Sequence, residues 1–178
     1  MKTELFDLYT KDRLPLNQTM NRGEPTPAGC FRLVVHVCIF NSIGKMLIQQ
    51  RQPFKKGWSD MWDLSCGGSV ISGEDSRTAA EREVAEELGV AISLKDIRPV
   101  LTIHFDEGFD DIYAITKDLQ LSELRLQPEE VQAVKWASAE EILSMIDSGE
   151  FIPYHKDLIG LLFFMRNHRG TFTMEDGL

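Results

Sequence analysis

The stretch Gly68-Ser69-Val70-Ile71-Ser72-Gly73-Glu74, followed seven residues later by Arg82-Glu83-Val84-Ala85-Glu86-Glu87-Leu88-Gly89-Val90, is the strongest signal in the chain. A glycine-bearing loop gives way at Asp75 to a helical pattern. Ser76 is a candidate cap, alanines and glutamates follow, and Gly89 stands where a helix ends in a left-handed residue. At about 100° per residue, Glu83, Glu86 and Glu87 share one helical face. Ala80, Val84 and Leu88 fall on a different arc, the one suited to packing on a sheet. Crowded carboxylates repel one another and lower helix stability, so positive charge belongs among them. Mg²⁺ or Mn²⁺, hard cations bound through a few carboxylates plus substrate phosphates, are the natural candidates. Three helical glutamates alone read as a solvated face. The glycine loop, Glu74 and Arg82 at fixed offsets weigh against that bland reading.

On either side of this stretch, strands and helices alternate. Phe31 to Phe40 is rich in β-branched residues and predicts a strand, Asn41 to Gly44 a turn, and Lys45 to Gln50 the returning strand of a hairpin. Trp62 to Leu64 predicts a short strand running into a loop over Ser65 to Ser69. Beyond the helix, Ile97 to His104 and Ile112 to Ile115 predict strands separated by the acidic loop Asp106-Glu107-Gly108-Phe109-Asp110-Asp111. Val131 to Trp136 is a further strand. Ser138-Ala139-Glu140-Glu141 opens a helix with a box-like cap, and Tyr154 to Asn167 is a final helix. The order predicts an α+β sandwich in one domain spanning residues 1–178. Residues 1–29 form an amino-terminal extension that ends in the turn-rich segment Asn21 to Gly29.

The 178 residues carry a net charge of −9 and three cysteines, Cys30, Cys38 and Cys66, with no Cys-x-x-Cys pair. The charge argues against a nucleic-acid polymer as partner and against docking on anionic membranes. Leu158 to Met165 is far short of the roughly 20 apolar residues a bilayer span requires. Met1 to Asp7 carries acids where a secretory leader needs a basic and then an apolar run. The sparse, odd cysteine count reads as reduced thiols, so a cytoplasmic protein is expected. An acidic protein acting on a polyanion needs local help from placed basic residues or metal cations.

The stretch over residues 68–90 matches the Nudix box G-x5-E-x7-R-E-U-x-E-E-x-G-U at all nine specified positions, where U is a bulky aliphatic residue. The chain therefore resembles the Nudix superfamily. That resemblance implies an α/β/α sandwich with a mixed sheet and divalent-metal-dependent hydrolysis of a diphosphate joined to another moiety. It implies that Glu83, Glu86 and Glu87 hold Mg²⁺ or Mn²⁺, with Gly68 shaping the loop and a nearby carbonyl as a further ligand. Arg82 would orient a glutamate of the cluster, and Glu74 would brace the loop–helix junction. The partner implied is a small organic diphosphate, and a homodimer is a common form in the superfamily.

Arg51-Gln52-Pro53-Phe54-Lys55-Lys56-Gly57-Trp58, with Met61-Trp62, resembles the type I isopentenyl-diphosphate isomerases and their hydrolase relatives. By that likeness Arg51 and Lys55 would contact the substrate's diphosphate. The isomerase cysteine before the box glycine is Gly67 here, and Cys66 lies one residue early. Isomerase metal histidines correspond to Ser69, Arg32 and Pro25, and the box glutamates at Glu83 and Glu86, which isomerases tend to lose, are kept. A hydrolase is expected, with an isomerase and a non-catalytic diphosphate-binding module as the alternatives. For the base or an added metal ligand the order of choice is Asp111, then Glu107, then Glu129 and Glu130. Cleavage would proceed by water attack at phosphorus. His36, mid-strand, reads as a satisfied sheet histidine, and Cys66 as a structural thiol. Phe54, Trp58 and Phe109 are candidates to line a pocket for the organic group.

Overall fold

The computed structural model describes residues 4–168. The element order is β1 (Leu5–Tyr9), β2 (Pro15–Asn21), β3 (Arg32–Phe40), β4 (Met46–Arg51), β5 (Trp62–Asp63), β6 (Cys66–Ser69), α1 (Ser76–Leu88), β7 (Leu101–Phe105), β8 (Gly108–Thr116), β9 (Val131–Ala137), α2 (Ala139–Ser148) and α3 (Lys156–Met165). A single 3₁₀ turn, Leu121–Glu123, lies between β8 and β9. The carboxyl-terminal end of the expected domain lies outside the described residues.

β3 is the axis of a seven-stranded mixed sheet. Its nine residues pair in parallel with β8 along their whole length, from Arg32 opposite Gly108 to Phe40 opposite Thr116. Two strands share its other edge: β6 pairs antiparallel over Val34 to Val37, and β4 joins at Phe40 opposite Met46. From there β4 diverges to pair with β9 and β5, which opens a fork in the sheet. Ser65 bridges the fork. Its buried hydroxyl accepts from the Ile39 amide at 2.8 Å and donates to the Leu47 carbonyl at 2.5 Å. Backbone groups separated by the divergence thus stay satisfied.

Side-chain alternation along β3 supplies both halves of the core. Val35, Val37 and Ile39 face α1, where they meet Ala79, Ala80, Val84 and Leu88. Cys38 and Phe40, with Met46 and Ile48 of β4, face α2 and α3 through Ile142, Met145, Ile159 and Leu162. One helix on one face and two on the other make the expected α/β/α sandwich. Ala80, Val84 and Leu88 pack on the sheet as the helical arc predicts. The box-like cap of α2 forms with both of its bonds, Ser138 to Glu141 and back.

Four local expectations are corrected. The helix cap is Asp75, whose side chain accepts from the Thr78 amide at 2.8 Å, and Ser76 is the first helical residue. Cys66 to Ser69 is a strand and no loop, because β3 offers it an open edge. The acidic segment shrinks to a turn at Asp106 and Glu107, so Asp110 and Asp111 lie within β8. The amino-terminal extension contains a hairpin, β1–β2, with its own apolar cluster of Phe6, Leu8 and Met20.

Three contacts fasten that hairpin to the body. Tyr9 bridges to Phe31, the Ser72 amide bonds the Leu5 carbonyl at 2.7 Å, and Asp7 accepts from Ser72 and Gly73. Arg13 then reaches across to the buried carboxylate of Asp111 with both of its terminal nitrogens. Replacing Arg13 by alanine strands that carboxylate in the interior. A fully buried pair broken this way costs about 3–5 kcal/mol, and the partial exposure of Arg13 puts the expected loss nearer 2–3 kcal/mol. Urea unfolding of Arg13→Ala checks this, and an unchanged midpoint would mean that Asp111 finds another partner.

Candidate active site

The fork between β3 and β4 opens into a cleft of about 300 Å³ lined mainly by polar side chains from eight places in the chain. β3 contributes Val34 and His36, β4 Arg51, the following loop Lys55, and β5 Asp63. β6 contributes Gly67, Gly68 and Ser69, and α1 contributes Arg82, Glu83, Glu86 and Glu87. Gln127 and Glu130 come from the segment before β9. Glu4 and Arg22 come from the edge of the amino-terminal hairpin.

Arg82 organises the helix side of the cleft. Its Nε and Nη2 hold Glu74 at 3.0 and 3.1 Å, and Nη2 also donates to the Ser69 carbonyl at 3.1 Å. Its Nη1 bonds Glu83 at 2.8 Å and Glu86 at 3.0 Å. Loop, helix and two acids of the cluster are therefore tied to one planar cation, whose fork geometry suits paired carboxylates. Gly68 admits this arrangement because a Cβ there would lie 2.1 Å from Glu83 Oε1. A side chain at residue 68 would displace Glu83 from the cleft.

The three glutamates differ in environment. Glu86 is half-exposed, Glu83 is largely buried, and Glu87 is 5% exposed. Burial raises the Glu83 carboxyl above the ordinary range although Arg82 opposes it. Burial pushes Glu87 up to about 7, against hydrogen bonds from Cys66 and from Gln49 at 3.1 Å. Glu83 is raised despite its ion pair with Arg82, and Glu87 is met by the neutral donors Cys66 and Gln49. Among the described residues no three metal-ligating side chains already converge on one point. The donor chemistry nonetheless fits a hard divalent cation: carboxylate oxygens, two of them on groups raised by burial, beside the Gly68 backbone.

On the sheet side, Arg51 Nη1 lies 3.4 Å from Asp63, and the buried Arg51 Nε has no partner among the described residues. Asp63 also accepts from Tyr154 Oη at 2.9 Å, and Lys55 pairs with Glu130. His36 Nδ1 sits 2.8 and 3.0 Å from the two oxygens of Asp110. Burial lowers the His36 pKa, but Asp110, with Asp63 and Glu87, outweighs it and brings it up to about 9.

The cleft thus gathers Glu83, Glu86, Glu87, Arg82, Gly68, Arg51 and Lys55. Asp111 and Glu107, expected as base or added metal ligand, are elsewhere. Strand alternation turns Asp111 away from the cleft, and Arg13, Thr102 and Ser76 more than offset its burial and hold its carboxyl below the usual range. Glu107 is exposed in the β7–β8 turn near Arg32, at 3.8 Å. Glu130 lines the cleft and Glu129 does not. Phe109 is buried in the core, whereas Phe54 and Trp58 are exposed. Asp63, Arg22, Glu4 and Gln127 had no sequence signal. For Asp63 the placement depends on strand pairing, and for Arg22 and Glu4 on a hairpin far from the box in sequence.

The comparisons with known proteins agree with this architecture. The NUDIX domain profile matches residues 31–156. A Nudix hydrolase of Listeria monocytogenes is 49% identical over 92% of this chain and 96% of its own length. The crystal structure of DR0079 from Deinococcus radiodurans superposes with a TM-score of 0.71 at 27% identity, covering 89% of this chain and 97% of that one. A MutT protein from Methanosarcina mazei Go1 shares the fold with a TM-score of 0.62 at 21% identity, over 78% of this chain and 96% of that one.

The raised Glu87 carboxyl has a measurable consequence. An acid with a folded pKa of about 7 and an ordinary value of 4.5 binds its proton more tightly when folded. Its contribution to stability is present below the ordinary value and is lost as pH rises through about 7. The metal-free protein should therefore unfold in less urea near pH 8 than near pH 5. Glu87→Gln should remove most of that difference, worth about 3 kcal/mol at the high-pH end. Equal pH dependence in the two proteins would show that Glu87 titrates normally.

With box, sandwich and carboxylate cleft coinciding in one sequence profile and one fold, the chain belongs to the Nudix hydrolase family.

Proposed function

We propose that the cleft hydrolyses the diphosphate linkage of a small organic diphosphate, of nucleoside-diphosphate or related type, by attack of water at phosphorus with Mg²⁺ or Mn²⁺ as cofactor. The observation that carries this is the pairing, in one cleft, of buried glutamates with the cations Arg51 and Lys55. Glu83, Glu86 and Glu87, with the Gly68 carbonyl, would hold the metal. Bound there, it would neutralise charge on the phosphoryl oxygens and favour deprotonation of a water.

The chain's own groups do the rest. Arg51, whose Nε has no partner among the described residues, and Lys55, which exchanges Glu130 for substrate, bind the diphosphate. Arg82 keeps Glu83 facing the cleft through the brace to Glu74. Glu86, half-exposed and held by a single nitrogen of Arg82, has the freedom to accept the proton of the attacking water. Binding energy from the cations orients phosphorus toward that water.

Hydrolysis is favoured over isomerisation by the space around Gly67. In this backbone a Cβ at residue 67 would lie 2.5 Å from His36 Cδ2 and 3.0 Å from the Val35 carbonyl, so a cysteine does not fit there. Cys66 is fully buried, and burial pushes its thiol well above the ordinary range. It is poorly suited to protonate or attack a substrate.

A phosphate-release screen with Mg²⁺ over nucleoside, sugar, isoprenoid and cofactor diphosphates tests the assignment. Turnover of one class is expected, abolished by chelation and reduced at least about a hundredfold in Glu86→Gln, as for loss of an acid–base group. Tight diphosphate binding without turnover would instead make the protein a binding module. Conversion of isopentenyl diphosphate to its allylic isomer would make it an isomerase.

A further inference from the structure

The cleft contains a group that the hydrolytic scheme above does not use. His36 lies in the middle of β3, directly opposite Gly67 of β6. Asp110, the neighbour of Val34 on the parallel strand β8, grips the ring at Nδ1 with both carboxylate oxygens. The opposite edge of the ring, Cδ2 and Nε2, lies against Gly67, where an added Cβ would meet these atoms at 2.5 and 2.9 Å. Tyr154 stands edge-on at 6.4 Å between ring centroids, and its hydroxyl is held by Asp63, which also bonds Arg51. Glycine at residue 67 is what lets the imidazole reach the cleft. Two aromatic and carboxylate neighbours fix its plane, and among the described residues no protein group bonds its Nε2.

We propose that His36 is a further substrate-contacting residue, whose Nε2–H donates to an oxygen of the bound diphosphate while Asp110 fixes the ring from behind. This rests on the reading of the cleft as a diphosphate site. A carboxylate at Nδ1 makes that nitrogen the donor. A second proton at Nε2 then turns the ring into a cation, and the carboxylate of Asp110 at Nδ1, with Asp63 nearby, favours that form. The diphosphate would thus be held from three sides, by Arg51, by Lys55 and by His36, in a protein whose net charge is −9. A ring locked at one nitrogen and open at the other loses little freedom on binding, so its hydrogen bond is preorganised.

The test uses inorganic pyrophosphate with Mg²⁺ and protein labelled with ¹⁵N in its four histidines. In the wild type, the Nε2 signal of His36 should move with saturable pyrophosphate binding. His36→Asn keeps a donor for Asp110 but cannot reach the ligand, and should bind pyrophosphate roughly ten- to hundredfold more weakly, the loss expected for one charge-assisted hydrogen bond. His36→Gln, which places an amide donor near the Nε2 position, should recover part of that loss. Asp110→Ala, which leaves His36 in place but removes the acceptor at Nδ1, should also weaken binding and gives a second variant if the first folds poorly.

Saturable binding that leaves the Nε2 signal unmoved, with equal affinity in His36→Asn, would overturn the proposal and leave the diphosphate site standing. Lower melting temperatures in the variants with unchanged affinity would give His36 a structural role and equally overturn it. Failure of the wild type to bind pyrophosphate at all would remove the diphosphate reading of the cleft, and this proposal with it.

Discussion

The guanidinium of Arg82 holds together parts of the chain that would otherwise separate, since it spans the carbonyl of Ser69 at the end of β6, the carboxylate of Glu74 and the acids Glu83 and Glu86. Without a cation there, the glutamates of α1 would repel one another and loosen the last turns of the helix. With it, the loop–helix junction becomes a rigid corner. The sheet contributes the matching half of that corner through β6, whose Gly68 leaves room for Glu83. Arg82 is largely buried, so this network is less screened by solvent than a surface ion pair.

The site then depends on a defect in the sheet. If β4 paired with β3 along its full length, no cleft would exist between the carboxylate helix and the basic loop after β4. The divergence beyond Phe40 and Met46 creates one, and the Ser65 hydroxyl satisfies the two backbone groups that the divergence leaves without strand partners. Opposite charges meet across the gap: Glu83, Glu86 and Glu87 on one wall, Arg51, Lys55 and His36 on the other. In the proposed function, an anion bound to metal would meet both walls. Burial raises the Glu87 carboxyl, and a cation held there, as proposed, would offset the cost of keeping it ionised.

The amino-terminal hairpin belongs to this arrangement. Arg13 engages Asp111, Asp7 holds the Ser72–Gly73 turn of the box loop, and Glu4 and Arg22 reach the rim of the cleft. The family profile begins at residue 31, so the hairpin lies ahead of the matched segment. It nevertheless buries one of the most enclosed carboxylates of the fold and touches the turn at Ser72 and Gly73 that follows β6.

Local chemistry was legible in the sequence wherever neighbours in the chain settle the outcome. The helix over α1, its buried arc, its glutamate face, the glycine at its end and the capping box of α2 all follow from spacing within a few turns. So did the choice of Arg51, Lys55 and the box acids as occupants of one site, through the likeness of their motifs. The identity of the remaining acids was not legible, because adjacent residues of a strand point to opposite faces. Asp110 and Asp111 are indistinguishable as letters, yet one grips His36 on the cleft side and the other is buried against Arg13. The β1–β2 hairpin and strand β6 were likewise not read from the sequence, since segments this short become strands through the partner that pairs with them. The sequence by itself determined the helix that carries the carboxylates and the face on which they crowd. Tertiary structure alone decided which aspartate, which histidine and which distant arginine share that cleft, because strand parity and edge pairing are set by partners far away in the chain.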